Sequence, residues 1–300
     1  MLKVLTKDRG LIIPQNGKIE TIWNGQDWDT GEFNFYKSAK GVKAYLTDGR
    51  KFYLPESTEI ECIEGWAKIS KKQRSLLPSP IGYYNALVSL EHLSYKVFDR
   101  YELGVWYARL EQAQEVDGLV NFIIPEKFYD LYEETKNLAS AICPILEYTV
   151  FNSRGNYRVI TLTNPEIKIP LKLSTNVTRS RDTMRGYLRG LTDFAWVVDK
   201  KLKMKTPFAE DVAILFGYFG IKTSHTKRFV AIYKSSLGRV MQFIGYRDNW
   251  QFKDLKNIES DNTIRFVSIQ KVNRFYNEWE FFAFTGTKIC TNGLIWRHND

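Results

Sequence analysis

Residues 188–196 read Leu188-Arg189-Gly190-Leu191-Thr192-Asp193-Phe194-Ala195-Trp196 and belong to a predicted helix that decides the fold. Gly186 and Gly190 are four residues apart and therefore lie on one face of that helix. In residues 101–110, Gly104 and Ala108 have the same spacing. Small residues at this spacing let two helix backbones approach closely. The sequence therefore predicts that these two helices pack against each other.

The sequence around these helices follows one pattern twice. The first round predicts a helix at 101–111, a strand at 119–125 and a helix at 126–141, and the second predicts a helix at 183–195, a strand at 200–206 and a helix at 207–219. Pro207 suits the first turn of its helix, where the missing N–H costs no hydrogen bond. Gly220 suits the C-cap that follows. Two matching halves predict a pseudo-twofold αββαββα domain at residues 96–256.

The two ends of the chain carry a different pattern, which is typical of short β-strands. Residues 42–46 and 51–54 flank Asp48-Gly49, which is a hairpin signal, and residues 263–269 and 280–285 are also predicted to be strands. A charge run at 71–74 and the sequence Pro78-Ser79-Pro80 interrupt this pattern. The predicted fold class is therefore α+β, with a discontinuous all-β domain at residues 1–75 and 257–300, a linker at 76–95, and the inserted αββαββα domain.

The composition favours a polyanionic partner. The net charge is +9, the pI is about 9.2, and the 44% share of hydrophobic residues is enough for a buried core. Cys62, Cys143 and Cys290 lack the CxxC spacing of a zinc site, and their odd number argues against a disulfide framework. The sequence contains no run of about 18 apolar residues and no signal-peptide pattern. We therefore expect a cytoplasmic protein without a membrane segment.

The two helix motifs carry a resemblance to a known enzyme family. Residues 188–196 resemble the LRGLFDADG form of the LAGLIDADG homing-endonuclease motif, and residues 101–110 resemble its YLLGLWLGDG form. The resemblance implies that the metal-binding acids of the family fall at Ala195 and Arg109. A methyl group cannot bind Mg²⁺, which takes oxygen ligands, and two-metal hydrolysis needs both carboxylates. Glu111 and Asp193 are candidate stand-ins, but each lies on a different side of its helix from the position it would replace.

The ends of the chain resemble the Hint fold of inteins. Residues 18–28 resemble a "V…WNG…W" segment, residues 47–49 with 64–69 resemble "DG…GW.K", and residues 291–299 resemble "NGI..HN". The resemblance implies that His298 and Asn299 are a remnant splice terminus, in which Asn299 cyclises with help from His298. It also implies that the family's activating histidine falls at Thr58, and residues 1–91 contain no histidine. Because the chain starts with Met1 rather than Cys or Ser, we expect splicing to be lost.

The predicted DNA-binding surface lies mainly in the second half. Residues 200–247 carry ten basic residues against Glu210 and Asp211, and Lys201, Lys203 and Lys205 alternate along one strand face. A predicted hairpin at 148–158 would reach into a major groove. The predicted DNA contacts are Arg154, Tyr157, Arg158, Lys201, Lys203, Lys205, Lys222, Lys227 and Arg228. A solvated sheet face is the alternative, because Lys is common on strands that avoid edge pairing.

These patterns lead to one functional hypothesis and two alternatives. The first is an intein-derived, LAGLIDADG-like protein that binds double-stranded DNA as a monomer and has lost splicing and cleavage, with no metal and no cofactor. The second is an active endonuclease that uses Glu111 or Asp193 with Mg²⁺. The third is an assembly subunit that binds an unidentified protein and has no role on DNA. His92 and His225 are isolated and are not expected to be ligands.

Overall fold

The computed structural model describes residues 3–38, 40–46, 51–62, 65–69, 75–76, 98–153, 155–199, 201–245, 264–273, 279–286, 288–291 and 294–298. The strands are β1 (Val4–Thr6), β2 (Gly10–Ile12), β3 (Lys18–Trp23), β4 (Trp28–Ser38), β5 (Lys40–Leu46), β6 (Lys51–Pro55), β7 (Thr58–Cys62), β8 (Gly65–Lys68), β9 (Ser75–Leu76), β10 (Gln114–Val116), β11 (Leu119–Pro125), β12 (Ile145–Asn152), β13 (Gly155–Leu162), β14 (Trp196–Val198), β15 (Lys201–Lys205), β16 (Thr223–His225), β17 (Phe229–Ile232), β18 (Ile264–Asn273), β19 (Trp279–Phe284), β20 (Ile289–Thr291) and β21 (Leu294–His298). The helices are α1 (Arg100–Gln112), α2 (Tyr129–Ser140), α3 (Thr175–Thr178), α4 (Arg181–Thr192), α5 (Ala209–Tyr218) and α6 (Leu237–Arg239). A 3₁₀ turn at Lys234–Ser236 precedes α6, and a π-helical turn at Val240–Ile244 follows it.

Strands from both ends of the chain form one large sheet. Its strand order is β19-β4-β3-β1-β20-β21-β7-β9-β18-β5-β6, with β2 and β8 paired to β1 and β7. The antiparallel register places Val4 beside Thr291 and Thr58 beside His298. In β7 every second side chain is buried, as expected for a strand with one face on the core. The predicted mixture of α and β structure is confirmed, because this sheet and the helices occupy separate parts of the described chain.

The middle of the chain contains two halves of the same element order. Each half begins with a long helix, α1 or α4, and builds a four-stranded antiparallel sheet, β10-β11-β13-β12 in the first and β14-β15-β17-β16 in the second. Asp117 and Asp199, 82 residues apart, both adopt positive φ angles of 52° and 51° in the turn between the first two strands. The same offset relates Gln114–Val116 to Trp196–Val198. The first two strands of the two halves therefore repeat with one constant offset.

Side-chain caps fix where the two long helices begin. Asp99 accepts a hydrogen bond from the Glu102 backbone N–H (2.8 Å), and Glu102 accepts one from the Asp99 N–H (3.2 Å), which is a capping box. Ser180 accepts a hydrogen bond from the Thr183 N–H (3.1 Å). These caps satisfy N–H groups that would have no partner within the helix.

Two of the predicted helix ends need correction. Pro207 lies before the helix rather than in its first turn, because α5 begins at Ala209. The helix predicted at 183–195 corresponds to α4, which ends at Thr192, so Ala195 lies beyond the helix. Gly220 follows α5 with φ +66°, and its N–H donates to the Gly217 carbonyl oxygen (2.9 Å), as predicted for a glycine that ends a helix.

The large sheet packs against the second half. Leu5, Trp23, Cys290 and Ile295 share one buried cluster with residues of α4, α5 and β15. An ion pair between Lys3 and Asp211 adds a polar contact at this boundary. The first half has its own core, which includes Trp106, Phe122 and Ile160.

Some predicted features fall outside the described residues, namely the turn at Asp48-Gly49 and most of the linker at 76–95. Only Leu76 of that linker is described, and it pairs with Cys62 and Ile264 in the large sheet. Within the described ranges, none of the helices is long and apolar enough to cross a membrane.

Candidate functional site

The long helices α1 and α4 pack with their backbones in contact, as the small residues predicted. A Cβ atom added at Gly104 would lie 2.0 Å from the Thr183 carbonyl oxygen. One added at Gly186 would lie 2.0 Å from the Tyr101 carbonyl oxygen. Both distances are far inside van der Waals contact, so only glycine fits at either position. The contact continues to Gly190 and Ala108 near the helix ends, and we call the whole contact between α1 and α4 the helix seam.

The contacts across the helix seam fix which residues of the two halves correspond. Gly104 contacts Thr183 and Gly186 contacts Tyr101, which is reciprocal under the same 82-residue offset. This offset pairs Glu111 with Asp193 and Ala113 with Ala195. The motif alignment instead equated Arg109 with Ala195. That alignment needs correction by four residues, about one helical turn, because the sequence match did not include the packing of the glycines.

Arg109 lies at the base of the helix seam, with its side chain 0% exposed. Its Nη1 donates to the Gly190 carbonyl oxygen (2.9 Å), and its Nη2 donates to Asp193 Oδ2 (2.5 Å) and Glu134 Oε2 (2.6 Å). Arg189 Nη1 donates to the same Asp193 oxygen (2.5 Å). A buried guanidinium thus links α1, α2 and the end of α4. These charge-assisted hydrogen bonds offset the cost of removing the charges from water.

Glu111, the counterpart of Asp193, is also buried and hydrogen-bonded. It is 8% exposed, and the Tyr187 hydroxyl donates to its Oε2. Burial raises the pKa of Glu111 to about 7, although hydrogen bonds from Thr206 and Tyr187 act in the opposite direction. Burial and the neighbouring Glu111 charge raise the pKa of Tyr187 well above its usual range. Glu111 therefore keeps its proton to a higher pH than an exposed glutamate does.

The residues at the helix seam do not fit a divalent metal. Mg²⁺ needs oxygen ligands in near-octahedral geometry. Here Asp193 Oδ2 is shared by two guanidinium groups, and the Arg109 charge would repel a second cation at short range. In the described ranges, no group of three or more His, Cys, Asp or Glu side chains is placed to hold a metal ion.

The second sheet carries basic and aromatic side chains on its outer face, away from the helices. Leu202 and Met204 are 0% exposed, so Lys201, Lys203 and Lys205 share the opposite face, as the alternation predicted. The antiparallel register adds Trp196 and Val198 of β14 and Phe229, Ala231 and Tyr233 at β17 to the same face. We call this set the lysine face. None of the described strand residues on it is acidic.

Aromatic rings lie directly under the ammonium groups of the lysine face. Lys203 Nζ lies 4.6 Å from the centroid of the Phe229 ring, and Lys201 Nζ lies 4.8 Å from that of Tyr233. Trp196 lies beside Lys203 in the strand register and is 37% exposed. The sequence prediction missed these aromatic residues. Alternation along the strands could have placed them on this face.

The first sheet differs from the second at the matching positions. The 82-residue offset places Leu119, Asn121 and Ile123 where the second half has its three lysines. Leu146 and Tyr148, on the same outer face, are 58% and 51% exposed. Among the described strand residues of this face there is no Lys, Arg, Asp or Glu. Of the two outer faces, only that of the second sheet therefore carries positive charge on its described strands.

Two predicted DNA contacts need correction. Arg158 pairs in register with Ile124, which is buried against the helices, so its side chain points to the helix side of the sheet. There its guanidinium carbon lies 5.0 Å from the ring centroids of both Tyr129 and Tyr132. Lys222 is only 8% exposed, because the chain after α5 turns back under the 3₁₀ turn.

The other predicted contacts are distributed over two hairpins. Tyr157 lies half-buried on the outer face of the first sheet. Lys227 and Arg228 are exposed in the turn between β16 and β17. Arg154 lies outside the described residues.

His298 of the predicted splice terminus is the last residue of β21. The backbone of His298 pairs with Thr58, whose side chain is 0% exposed. Asn299 lies outside the described residues. Thr58, the position predicted for the activating histidine, and His298 are thus paired residues of two adjacent strands.

Comparisons with known proteins give a weak likeness among solved structures. No protein-family model matches the sequence, and no curated protein matches it. Among solved structures, the chain is similar to one described as "Structures and dynamics of mesophilic variants from the homing endonuclease I-DmoI". The identity is 10% and the TM-score 0.36, over 50% of this chain and 100% of that chain. A likeness of this size carries no weight for the function of this chain.

Proposed function

We propose that this chain binds double-stranded DNA through the lysine face and does not cleave it. The observation that carries the proposal is the row of Lys201, Lys203 and Lys205 on the outer face of the second sheet, where Lys205 is exposed, Lys201 and Lys203 are half-buried, and no described strand residue is acidic. A β-ribbon or sheet face can enter the major groove, and lysines neutralise phosphates there. The net charge of +9 adds long-range attraction to a polyanion.

The absence of cleavage is supported by the contacts at the helix seam. The two acids that the repeat relates are Glu111 and Asp193, and both are already engaged. Asp193 is held by two arginines, and Glu111 is bonded to Tyr187 and partly protonated. Metal-assisted hydrolysis needs ionised carboxylates that can bind the metal and position water. Neither acid is available for this role in the observed geometry.

An intein-like origin with splicing lost fits the large sheet. Strands from the two ends of the chain are adjacent, as the pairing of Val4 with Thr291 shows, so chain ends far apart in sequence approach each other. The activating position is occupied by Thr58, whose hydroxyl cannot act as the imidazole acid–base of a splicing reaction at neutral pH. This part of the proposal is tested by mass spectrometry of the unchanged chain. Cyclisation of Asn299 would break the Asn299–Asp300 bond and release Asp300. We expect the full mass, and a mass lower by one aspartate would contradict the loss of this reaction.

A second candidate function is binding to a protein, and it is favoured by the outer face of the first sheet. Leu146, Tyr148 and Ile123 are exposed there by 58%, 51% and 38%, and no described strand residue on that same face is charged. Exposed apolar patches on proteins often mark contact surfaces. This function would leave the affinity for DNA low and insensitive to salt.

The test is a set of binding titrations with labelled duplex DNA at several salt concentrations, followed by incubation with plasmid DNA and Mg²⁺. The proposal expects log Kd to rise linearly with log salt, because each phosphate contact releases a counterion. It expects the plasmid to stay intact. Salt-insensitive binding would support the protein-binding function instead, and Mg²⁺-dependent cleavage that is lost in Asp193→Asn would show an active nuclease.

A further inference from the structure

Trp196 occupies a position where the fold does not require an aromatic side chain. It begins β14, the edge strand of the second sheet, and 37% of it is exposed, while Val198 on the same face is 41% exposed. The matching position of the first half is Gln114, an exposed polar residue. Since the same backbone geometry accepts glutamine in one half, packing alone does not explain tryptophan in the other.

The Trp196 ring is only partly covered by its neighbours. It meets Phe229 edge to face, with the ring planes at 89° and the centroids 6.1 Å apart. In such a pair, Phe229 covers at most one of the two broad faces of the indole. Lys203 is the register partner of Trp196 on the next strand, and its Nζ lies 4.6 Å from the Phe229 centroid. Phe229 therefore leaves at least one indole face uncovered, in a strand that pairs with a row of lysines.

An uncovered aromatic face beside lysines is the arrangement that binds an unpaired base. The bases of a continuous duplex already stack on each other and offer no face to a protein side chain. An unpaired base stacks on an aromatic ring while its phosphate meets a cation, and this works with every base because each has a π-face. Val198 extends the apolar strip beside Trp196.

We infer that Trp196 stacks an unpaired base, so that the lysine face prefers duplex DNA next to a single-stranded stretch over a continuous duplex. This inference rests on the proposed binding of DNA to the lysine face. The lysines bind the phosphates of either substrate, and Trp196 contributes only where a base is free. The preference for DNA with an unpaired stretch thus depends on Trp196, whereas the affinity for DNA in general depends on Lys201, Lys203 and Lys205.

The experiment compares two DNA probes of matched sequence, a blunt duplex of about 20 base pairs and the same duplex extended by about six unpaired nucleotides. The unpaired stretch carries 2-aminopurine, whose fluorescence falls when it stacks. The unchanged chain is expected to bind the extended probe about five-fold or more tightly than the blunt probe, since stacking of one base contributes at least this factor. The fluorescence of 2-aminopurine is expected to fall on binding.

Three variants distinguish base stacking on Trp196 from a general effect of removing an exposed aromatic side chain. Trp196→Ala should bind both probes equally and leave 2-aminopurine fluorescence unchanged, whereas Trp196→Phe should keep most of the preference. Tyr148→Ala, which removes an exposed aromatic side chain from the neutral outer face of the first sheet, is the matched control and should keep the preference in full.

Two results would overturn the inference and leave the proposed function intact. One is equal affinity for the two probes together with steep salt dependence, and the other is a preference that survives in Trp196→Ala. Failure to bind either probe would instead reject the proposed function. These outcomes are distinct, so the two proposals can fail separately.

Discussion

Arg109 and Asp193 form a buried ion pair across the helix seam, with Nη2 and Oδ2 2.5 Å apart and side chains 0% and 1% exposed. The pair joins the first long helix to the C-cap of the second, and therefore one half of the repeat to the other. Because Glu134 and the Gly190 carbonyl oxygen complete the environment of the guanidinium, it is a fixed positive charge among oxygen atoms.

Removal of the Arg109 charge should destabilise the fold strongly. Arg109→Ala leaves Asp193 buried with fewer partners, and breaking a buried ion pair costs about 3–5 kcal/mol. Chemical denaturation measures the change in the free energy of unfolding. Lys168→Ala is the control, because its pair with Glu115 is 57% and 48% exposed, and exposed pairs contribute about 1 kcal/mol or less. A loss in Arg109→Ala no larger than in the control would contradict a structural role for the pair.

Glu111 should make stability depend on pH between about 4.5 and 7. The folded state keeps its proton up to a pKa of about 7, whereas the unfolded chain releases it near the ordinary value of 4.5. Because the folded state binds more protons in this window, the contribution of Glu111 to stability falls as pH rises, by about 3 kcal/mol in all, and is constant above it.

The measurement for Glu111 is a comparison with Glu111→Gln, which cannot ionise. We expect the stability of the variant relative to the unchanged chain to increase from pH 5 to pH 8 in urea unfolding experiments. Taking the difference between the two chains cancels the other titrating groups. A difference that stays constant over this range would show that Glu111 titrates normally.

Alanine at the close helix contacts should separate the two halves. In Gly104→Ala the new Cβ meets the Thr183 carbonyl oxygen at 2.0 Å, so the helices must move apart at a cost of about 3 kcal/mol or more. The control is Gly118→Ala. A Cβ added there would have no neighbouring atom within 4 Å, and the φ of +78° should lower the free energy of unfolding by only about 1 kcal/mol through backbone strain. Thermal unfolding distinguishes the two. Similar melting temperatures would mean that the helices can slide past each other.

The three lysines of the lysine face should account for most of the salt dependence of DNA binding. The triple variant K201A/K203A/K205A is expected to reduce the slope of log affinity against log salt by about 2 to 3, as each lost phosphate contact removes about 0.9. K7A/K18A/K37A is the control, because it removes the same charge from exposed positions in the part of the chain that forms the large sheet. Equal effects of the two variants would assign the binding to net charge alone.

Much of the local structure could be predicted from the sequence. The glycine spacing at Gly104 and Gly186 predicted the helix contact, and the alternation of Lys201 and Lys203 with Leu202 predicted a strand with one buried face. These patterns are short-range, because helix and strand periodicities fix which neighbours share a face. The predicted helix ends were less accurate. Helix α4 ends with Asp193 as its C-cap, and the motif did not indicate this end.

The sequence alone determined the elements, their order, the paired helices and the excess of positive charge. Only the tertiary structure decided that Glu111 corresponds to Asp193, that Arg109 binds the carboxylates of Asp193 and Glu134, and that Arg158 lies on the helix side of its sheet. The physical reason is that local periodicity is carried by neighbours along the chain, whereas the partner of a buried charge is set by the packing of distant segments. A shift of one residue in a strand, or of one turn in a helix, changes that partner while leaving the local pattern almost unchanged.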